Sequence, residues 1–273
     1  MNGPYHSDNL TGRLDLYVED ELTWQYLGAL FQFESGWLNI THVGGREAVC
    51  AMVATERGRG NQQAFGWQDR DFGGDNTAKW NEAGTHVFRG TYHEIENYML
   101  DWRAMKEGEK PSGVFPAEQT ARDFAKNMVF AVACWNELYA LKHFVDNRFP
   151  KYPKSQSKIA TLKSEDAVVR FIQEQNPWFP RITRDFKTRT SEESIRGNVA
   201  KQVAFLRNAL ADGSWRSVMP GKEIFRHVLD QAFHGKVDEL SFAKSIADWQ
   251  RVNQKIPDEL QRLIEVLNTR RIS

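Results

Sequence analysis

Cysteine is scarce in this chain: 273 residues hold two, Cys50 and Cys134. Two thiols are too few for a disulfide scaffold or a zinc knuckle. No apolar run approaches the roughly 18 residues that a membrane-spanning helix needs, so no membrane association is expected. The opening stretch, MNGPYHSDNLTGRLD, has no basic start followed by an apolar segment. No secretory leader is expected, and the expected address is the cytoplasm. Several catalytic motifs are missing as well. There is no G-x-x-x-x-G-K-[ST]: Gly221-Lys222 lacks the preceding glycine and runs into Glu223, so the chain should not hydrolyse nucleotide itself. There is no G-x-S-x-G, which argues against a serine nucleophile elbow, and the seven His form no H-E-x-x-H. His93, beside the acids at 94 and 96, suits a phosphate contact but is more simply expected on the surface at the start of a helix. No internal repeat or low-complexity tract is visible.

What is present is the material of a packed core. The chain is 41% hydrophobic and 12% aromatic, with nine Trp and a mean hydropathy of −0.60. Such a composition excludes disorder, collagen and coiled coil. Lys+Arg and Asp+Glu balance at 36 each, but unevenly: residues 1–100 hold 14 acids and 7 bases, leaving the rest of the chain net positive. An acidic part suits cations and a basic part attracts a polyanion, although either also suits a plain solvated surface. The densest basic run lies between Lys142 and Lys163 and includes Lys151, Lys154 and Lys158; a second includes Arg181 and Arg184. Trp178-Phe179, beside the second run, suits either base stacking or an ordinary core or protein contact.

Apolar spacing divides the chain in two. Strands are expected at 14–19, 38–43, 64–67 and 85–88, with helices at 21–33 and 46–56 between them. Thr91 to Glu94 has the form of a capping box opening a helix that runs to Trp102. Alternating strands and helices predict an α/β fold with a parallel sheet flanked by helices, over residues 1–105. Residues 106–273 read as a mostly helical part. Its helices are expected at 116–144 (with a break), 165–175, 192–211, 222–233 and 241–267, and a loop at 146–163. Phe124, Val129, Phe130, Val132, Trp135, Leu138 and Leu141 make an apolar face for the core or for a dimer.

Ligand sites in open α/β sheets lie at the carboxyl ends of strands. Glu19 ends the first strand, Asp69 and Asp71 follow the third, and Glu94 and Glu96 follow the fourth. Asp69 and Asp71 are two apart, so extended backbone points them the same way. A D-x-D in a loop is by itself most simply a turn, and a strand-end Glu most simply surface. As a set on one sheet edge, the carboxylates would repel one another unless a cation joined them. Oxygen ligands without His or Cys favour Mg²⁺, Mn²⁺ or Ca²⁺ over zinc, and such ions, singly or paired, serve phosphoryl chemistry.

The stretches LYVEDE, VGGREAV and FGWQDRDF together resemble the TOPRIM domain of primases, topoisomerases and OLD-type nucleases. In order they offer a Glu after the first strand, a glycine turn after the second and D-x-D after the third. GTYHEIENYML and PGKEIFRHVL resemble the OLD-like branch, and in particular the standalone nuclease subunits of PARIS anti-phage systems. The resemblance covers about residues 14–103 and a patch near 220. Trp67-Gln68 departs from it, since many members have smaller or aliphatic residues there. A topoisomerase or primase would need further domains that are not visible.

The resemblance implies an Mg²⁺- or Mn²⁺-dependent, two-metal endonuclease with Glu19, Asp69, Asp71 and Glu96 as catalytic metal ligands and Glu94 as the second choice for the last. It implies a structural turn at Gly44 and Gly45. It also makes Lys222 a catalytic base-bearing position, with 220–233 packing back near the active site. Substrate contacts would come from Lys151, Lys154, Lys158, Arg181 and Arg184. An ABC-type ATPase partner, a homodimer when active and tRNA as substrate are further implications. DNA cleavage is the alternative within the class, and a non-catalytic module that only binds an ATPase is the alternative outside it.

Overall fold

The computed structural model describes residues 13–70, 86–108, 117–142, 159, 161–174, 191–233 and 237–271. It is an α/β protein; among the described residues four strands, β1 (Leu14–Val18), β2 (Leu38–His42), β3 (Ala64–Gln68) and β4 (Val87–Arg89), form one all-parallel sheet in the order β2-β1-β3-β4. Among the described residues, no helix is long and apolar enough to cross a membrane.

Helix α1 (Glu21–Leu30) joins β1 to β2, and α2 (Arg46–Gly58) joins β2 to β3. Asp20 caps α1 by accepting the Thr23 N–H at 2.8 Å. Gly44 and Gly45, at φ 91° and 130°, turn the chain from β2 into α2 in a region that L side chains avoid. The central strand β3 is buried along its whole length, as a strand covered on both faces must be. Its Gly66 face meets Val49 and Val53 of α2, and Gln68 donates to the Arg46 carbonyl on the same side. Alternation sends Phe65 and Trp67 to the opposite face.

The C-terminal helices cover that second face. Helix α9 (Glu239–Val252) packs on α1, where the buried Tyr26 hydroxyl donates to Gln250 Oε1 at 2.7 Å. From α10 (Asp258–Thr269) the chain leads to Arg270, whose guanidinium lies 5.9 Å and 5.3 Å from the Phe65 and Phe88 rings. Residues 229–273 therefore belong to the same compact unit as the sheet. The sequence reading ended the α/β part at 105, but a sheet with two apolar faces needs more cover than α1 and α2 supply.

The described residues of the second unit, mainly within 116–228, are helical. It contains α5 (Ala117–Lys142), α6 (Glu165–Glu174), α7 (Glu192–Asp212) and most of α8 (Gly221–Phe233). Helix α5 is continuous, correcting the expected break; no Gly or Pro falls inside it. Val129, Val132, Trp135 and Leu141 are buried in it, so most of that apolar face is core. The last turn of α8 counts with the sheet unit, with Phe233 against Phe242 at 5.2 Å between ring centroids.

Two helices expected to be single are each broken. Residues 241–267 divide at 253–257, where Gln254 has φ 53° and Pro257 cannot continue a helix. Residues 91–102 are a loop, a one-turn helix α3 (Glu96–Met99), and then α4 (Trp102–Gly108). Asp101 starts α4 by accepting the N–H groups of Arg103 and Ala104 at 3.0 Å and 3.1 Å.

Candidate functional site

The strand order reverses between β1 and β3: the chain leaves β1 for β2 on one side and returns to β3 on the other. A crevice outside the carboxyl ends of two such strands is the usual ligand site of a parallel α/β sheet. Glu19 and Asp69 are the residues immediately after β1 and β3. They touch: the Asp69 backbone N–H donates to Glu19 Oε1 at 2.9 Å. Since Asp20 serves as the cap of α1, the Glu19 side chain is directed to the neighbouring strand end instead. The Glu19 carbonyl accepts the Gly44 N–H at 2.9 Å, which ties the glycine turn to the same edge.

The charges acting most strongly on the Asp69 carboxyl are Glu96, Glu19, Glu94 and Asp20, all acidic. Burial first, and then these neighbours in that order, raise its proton affinity well above that of an ordinary carboxylate. Glu96 is 2% exposed, at the start of α3. Glu94 retains more solvent contact and lies 3.7 Å from the His93 imidazole. Of the acids expected from the sequence, Glu19 meets Asp69, and Glu96 and Glu94 act on its charge; Asp20, not among them, contributes to the same field. His93, expected on the surface, is 3% exposed, because its carbonyl accepts the Arg70 N–H and draws the loop inward.

Whether this set suits a metal turns on its donors. They are carboxylate oxygens, the chemistry of a hard divalent cation, and their mutual repulsion is what such an ion relieves. Among the described residues, no three His, Cys, Asp or Glu side chains stand in a metal-holding arrangement. Asp71 lies outside the described residues, as do Lys151, Lys154, Lys158, Arg181 and Arg184. Lys222 is half-buried in the first turn of α8, in the second unit.

A layer behind the carboxylates comes from an element the sequence did not connect to them. Glu259, in the first turn of α10, accepts the Thr91 N–H at 2.8 Å and the Thr91 hydroxyl at 2.6 Å, and also the Tyr98 hydroxyl. Thr91 therefore forms no capping box; its hydroxyl is committed to Glu259. The Arg70 side chain donates to the Thr91 carbonyl at 2.9 Å. Burial lowers the Arg70 pKa, with Glu259 opposing. Tyr98 is pushed well up, by burial and then by the Glu259 charge. In sequence, Glu259 looks like any acid complementing a helix N-terminus, and the only signal for it is Pro257 marking that terminus.

A separate buried acid lies in the helical unit. Glu137 of α5, 4% exposed, accepts from the Asn198 side-chain amide of α7 at 3.0 Å. Desolvation raises its proton affinity, and the hydrogen bond only partly opposes this. Nothing in the sequence pattern separates it from the solvated acids of other helices.

No protein-family model matches the chain, and no curated protein is found similar to it.

Proposed function

We propose that the protein is a metal-dependent endonuclease of the TOPRIM type, with Glu19, Asp69 and Glu96 at its centre. The observation that carries this reading is the meeting of Glu19 and Asp69 at the strand-order reversal, with Glu96 as the strongest charge on Asp69. Isolated acids on a surface loop would give neither the shared field nor the bond across two strand ends. Glu19 and Asp69, which meet, would hold Mg²⁺ or Mn²⁺ together with Asp71, and Glu96 or Glu94 would turn in as a further oxygen donor when the ion binds. When bound, a divalent ion stabilises charge developing on a phosphoryl group and lowers the pKa of a water molecule.

The chain's own part is to align the acids, and the repulsion among them is what a bound cation would relieve. Glu19 is oriented by the Asp69 N–H, and Asp69 by its place at the end of a fully buried strand. Polyanion binding falls to the basic segments, with Lys151, Lys154, Lys158, Arg181 and Arg184 as phosphate contacts. Lys222 keeps only the role of a basic residue that the resemblance gives it.

By resemblance to the AriB nuclease subunits of PARIS systems, the substrate is host tRNA. The setting is then the bacterial cytoplasm during abortive infection, with an ABC-type ATPase restraining the nuclease until a phage is sensed. An active homodimer belongs to the same reading.

The test is a cleavage assay with total tRNA and, in parallel, supercoiled plasmid in Mg²⁺ or Mn²⁺, beside Glu19→Ala and a chelator control. Discrete tRNA fragments, absent from both controls, are expected. Plasmid nicking lost in both controls would keep the site and move the substrate to DNA. Full activity in Glu19→Ala would refute the site. Mn²⁺ calorimetry on the free protein separates an inactive enzyme from a module that only binds an ATPase, because the latter needs no carboxylate-dependent metal site.

A further inference from the structure

We propose that Glu259 is a positioning residue for the carboxylate set, fixing from outside the loop that presents Glu94 and Glu96. This rests on the metal-centre reading above. Helix α3 has four residues and no side-chain cap, and a single turn of helix does not hold itself in water. What grips the chain on either side of it therefore sets where Glu96 is presented.

Contacts at three places along the segment supply the grip. At one end Thr91 gives both its N–H and its hydroxyl to Glu259. In the middle the Arg70 N–H donates to the His93 carbonyl at 3.1 Å, and the Arg70 side chain donates to the Thr91 carbonyl. At the far end the Tyr98 hydroxyl donates to the same Glu259 carboxylate, and the Tyr98 carbonyl accepts from Gln250 at 3.3 Å. Thr91 and Tyr98 bracket Glu94 and Glu96, so one carboxylate closes the segment into a loop of fixed span. Arg70 is the residue next to Asp69, so the same clasp sets the loop against the β3 end.

Glu259 itself is held by its place in the first turn of a helix that covers the sheet, where a negative charge is favoured. The Asp69 charge reaches Tyr98, so the clasp and the carboxylate set share one field. A glutamine at 259 keeps the size but has one acceptor oxygen for three donors. Partners that orient metal ligands in this way typically matter by about 10–100-fold in metal affinity.

The experiment is Mn²⁺ calorimetry on the full chain, wild type against Glu259→Gln, at a temperature where circular dichroism shows both folded, with hydrogen exchange over 91–97 measured without metal. An affinity lower by about 10–100-fold, with faster exchange over 91–97, is the expected result. A purely structural residue would lower the unfolding temperature and leave the affinity of the folded protein unchanged, and that result overturns the proposal. If the wild type binds no Mn²⁺ through its carboxylates, the metal-centre reading fails; exchange that is still faster in Glu259→Gln then shows that the clasp holds the loop, and unchanged exchange overturns the clasp as well. Should Glu259→Gln not fold, Tyr98→Phe removes one donor of the three. A smaller loss of affinity in Tyr98→Phe supports the proposal and wild-type affinity overturns it.

Discussion

Replacing Asp69 by Asn should stabilise the metal-free protein at neutral pH and confer no such advantage at pH 4. In the folded chain Asp69 holds its proton to a pH well above that of an ordinary carboxylate, because it is desolvated and faces Glu96, Glu19, Glu94 and Asp20. Between those two pKa values the native state binds one proton more than the unfolded state. Stability then falls as pH rises, by about 1.4 kcal/mol per pH unit for one proton. The contribution is fully present below the unfolded pKa and is lost as pH passes through the folded one. Asn carries no such proton, so the difference in stability between the variant and the wild type should climb at about that slope and then level off.

Other groups add pH dependence of their own. Burial, with Arg57 and Arg270, lowers the His86 pKa, which makes stability rise with pH, whereas Glu137 has the same sign as Asp69. Both are common to the two proteins and cancel in the difference. The assay is urea unfolding followed by tryptophan fluorescence from pH 4 to 8 in chelator. Two parallel stability curves would refute the reasoning, since Asp69 would then be an ordinary carboxylate. Saturating Mg²⁺ or Mn²⁺ should reverse the order at neutral pH, because an ion bound only to the native wild type adds about 2.7 kcal/mol at a hundred times its Kd.

The cleavage and calorimetric outcomes for Glu19→Ala and Glu259→Gln stand beside this one. Gly90→Ala should destabilise the sheet unit by about 1–3 kcal/mol, read as a lower unfolding temperature. Its new Cβ would lie 2.5 Å from the Tyr98 hydroxyl and 2.9 Å from Trp67, so it should also disturb the Tyr98–Glu259 bond. Charge reversal at Lys151, Lys154 and Lys158 should weaken nucleic-acid binding and flatten its dependence on salt; an unchanged slope in a filter-binding titration would remove that segment from the interface.

The clasp gives the carboxylate centre a division of labour. Glu19 and Asp69 are set by the sheet, whose register is held by three ladders of parallel backbone pairing. Glu96 is set by long-range contacts, because it sits on a turn of helix too short to define itself. In the proposed centre two ligand positions are then rigid, and a third responds to the C-terminal helices.

Sequence by itself determined the strands, the order of strand-end acids and the glycine turn. Each of these is a local property: alternation of apolar residues, a carboxylate at the end of a strand, a positive φ that glycine accepts without strain. It also made the sheet parallel, since strands separated by helices have no hairpin to reverse them. Only the tertiary structure decided which helices cover the second face of the sheet, because any amphipathic helix after residue 105 carries a suitable apolar stripe. It alone decided that His93 is buried, that Thr91 is not a cap, and that Glu259, separated from Thr91 by 168 positions, completes the wall behind the acids. Periodicity reports which face of an element is apolar; which partner that face meets is set by packing the whole unit at once.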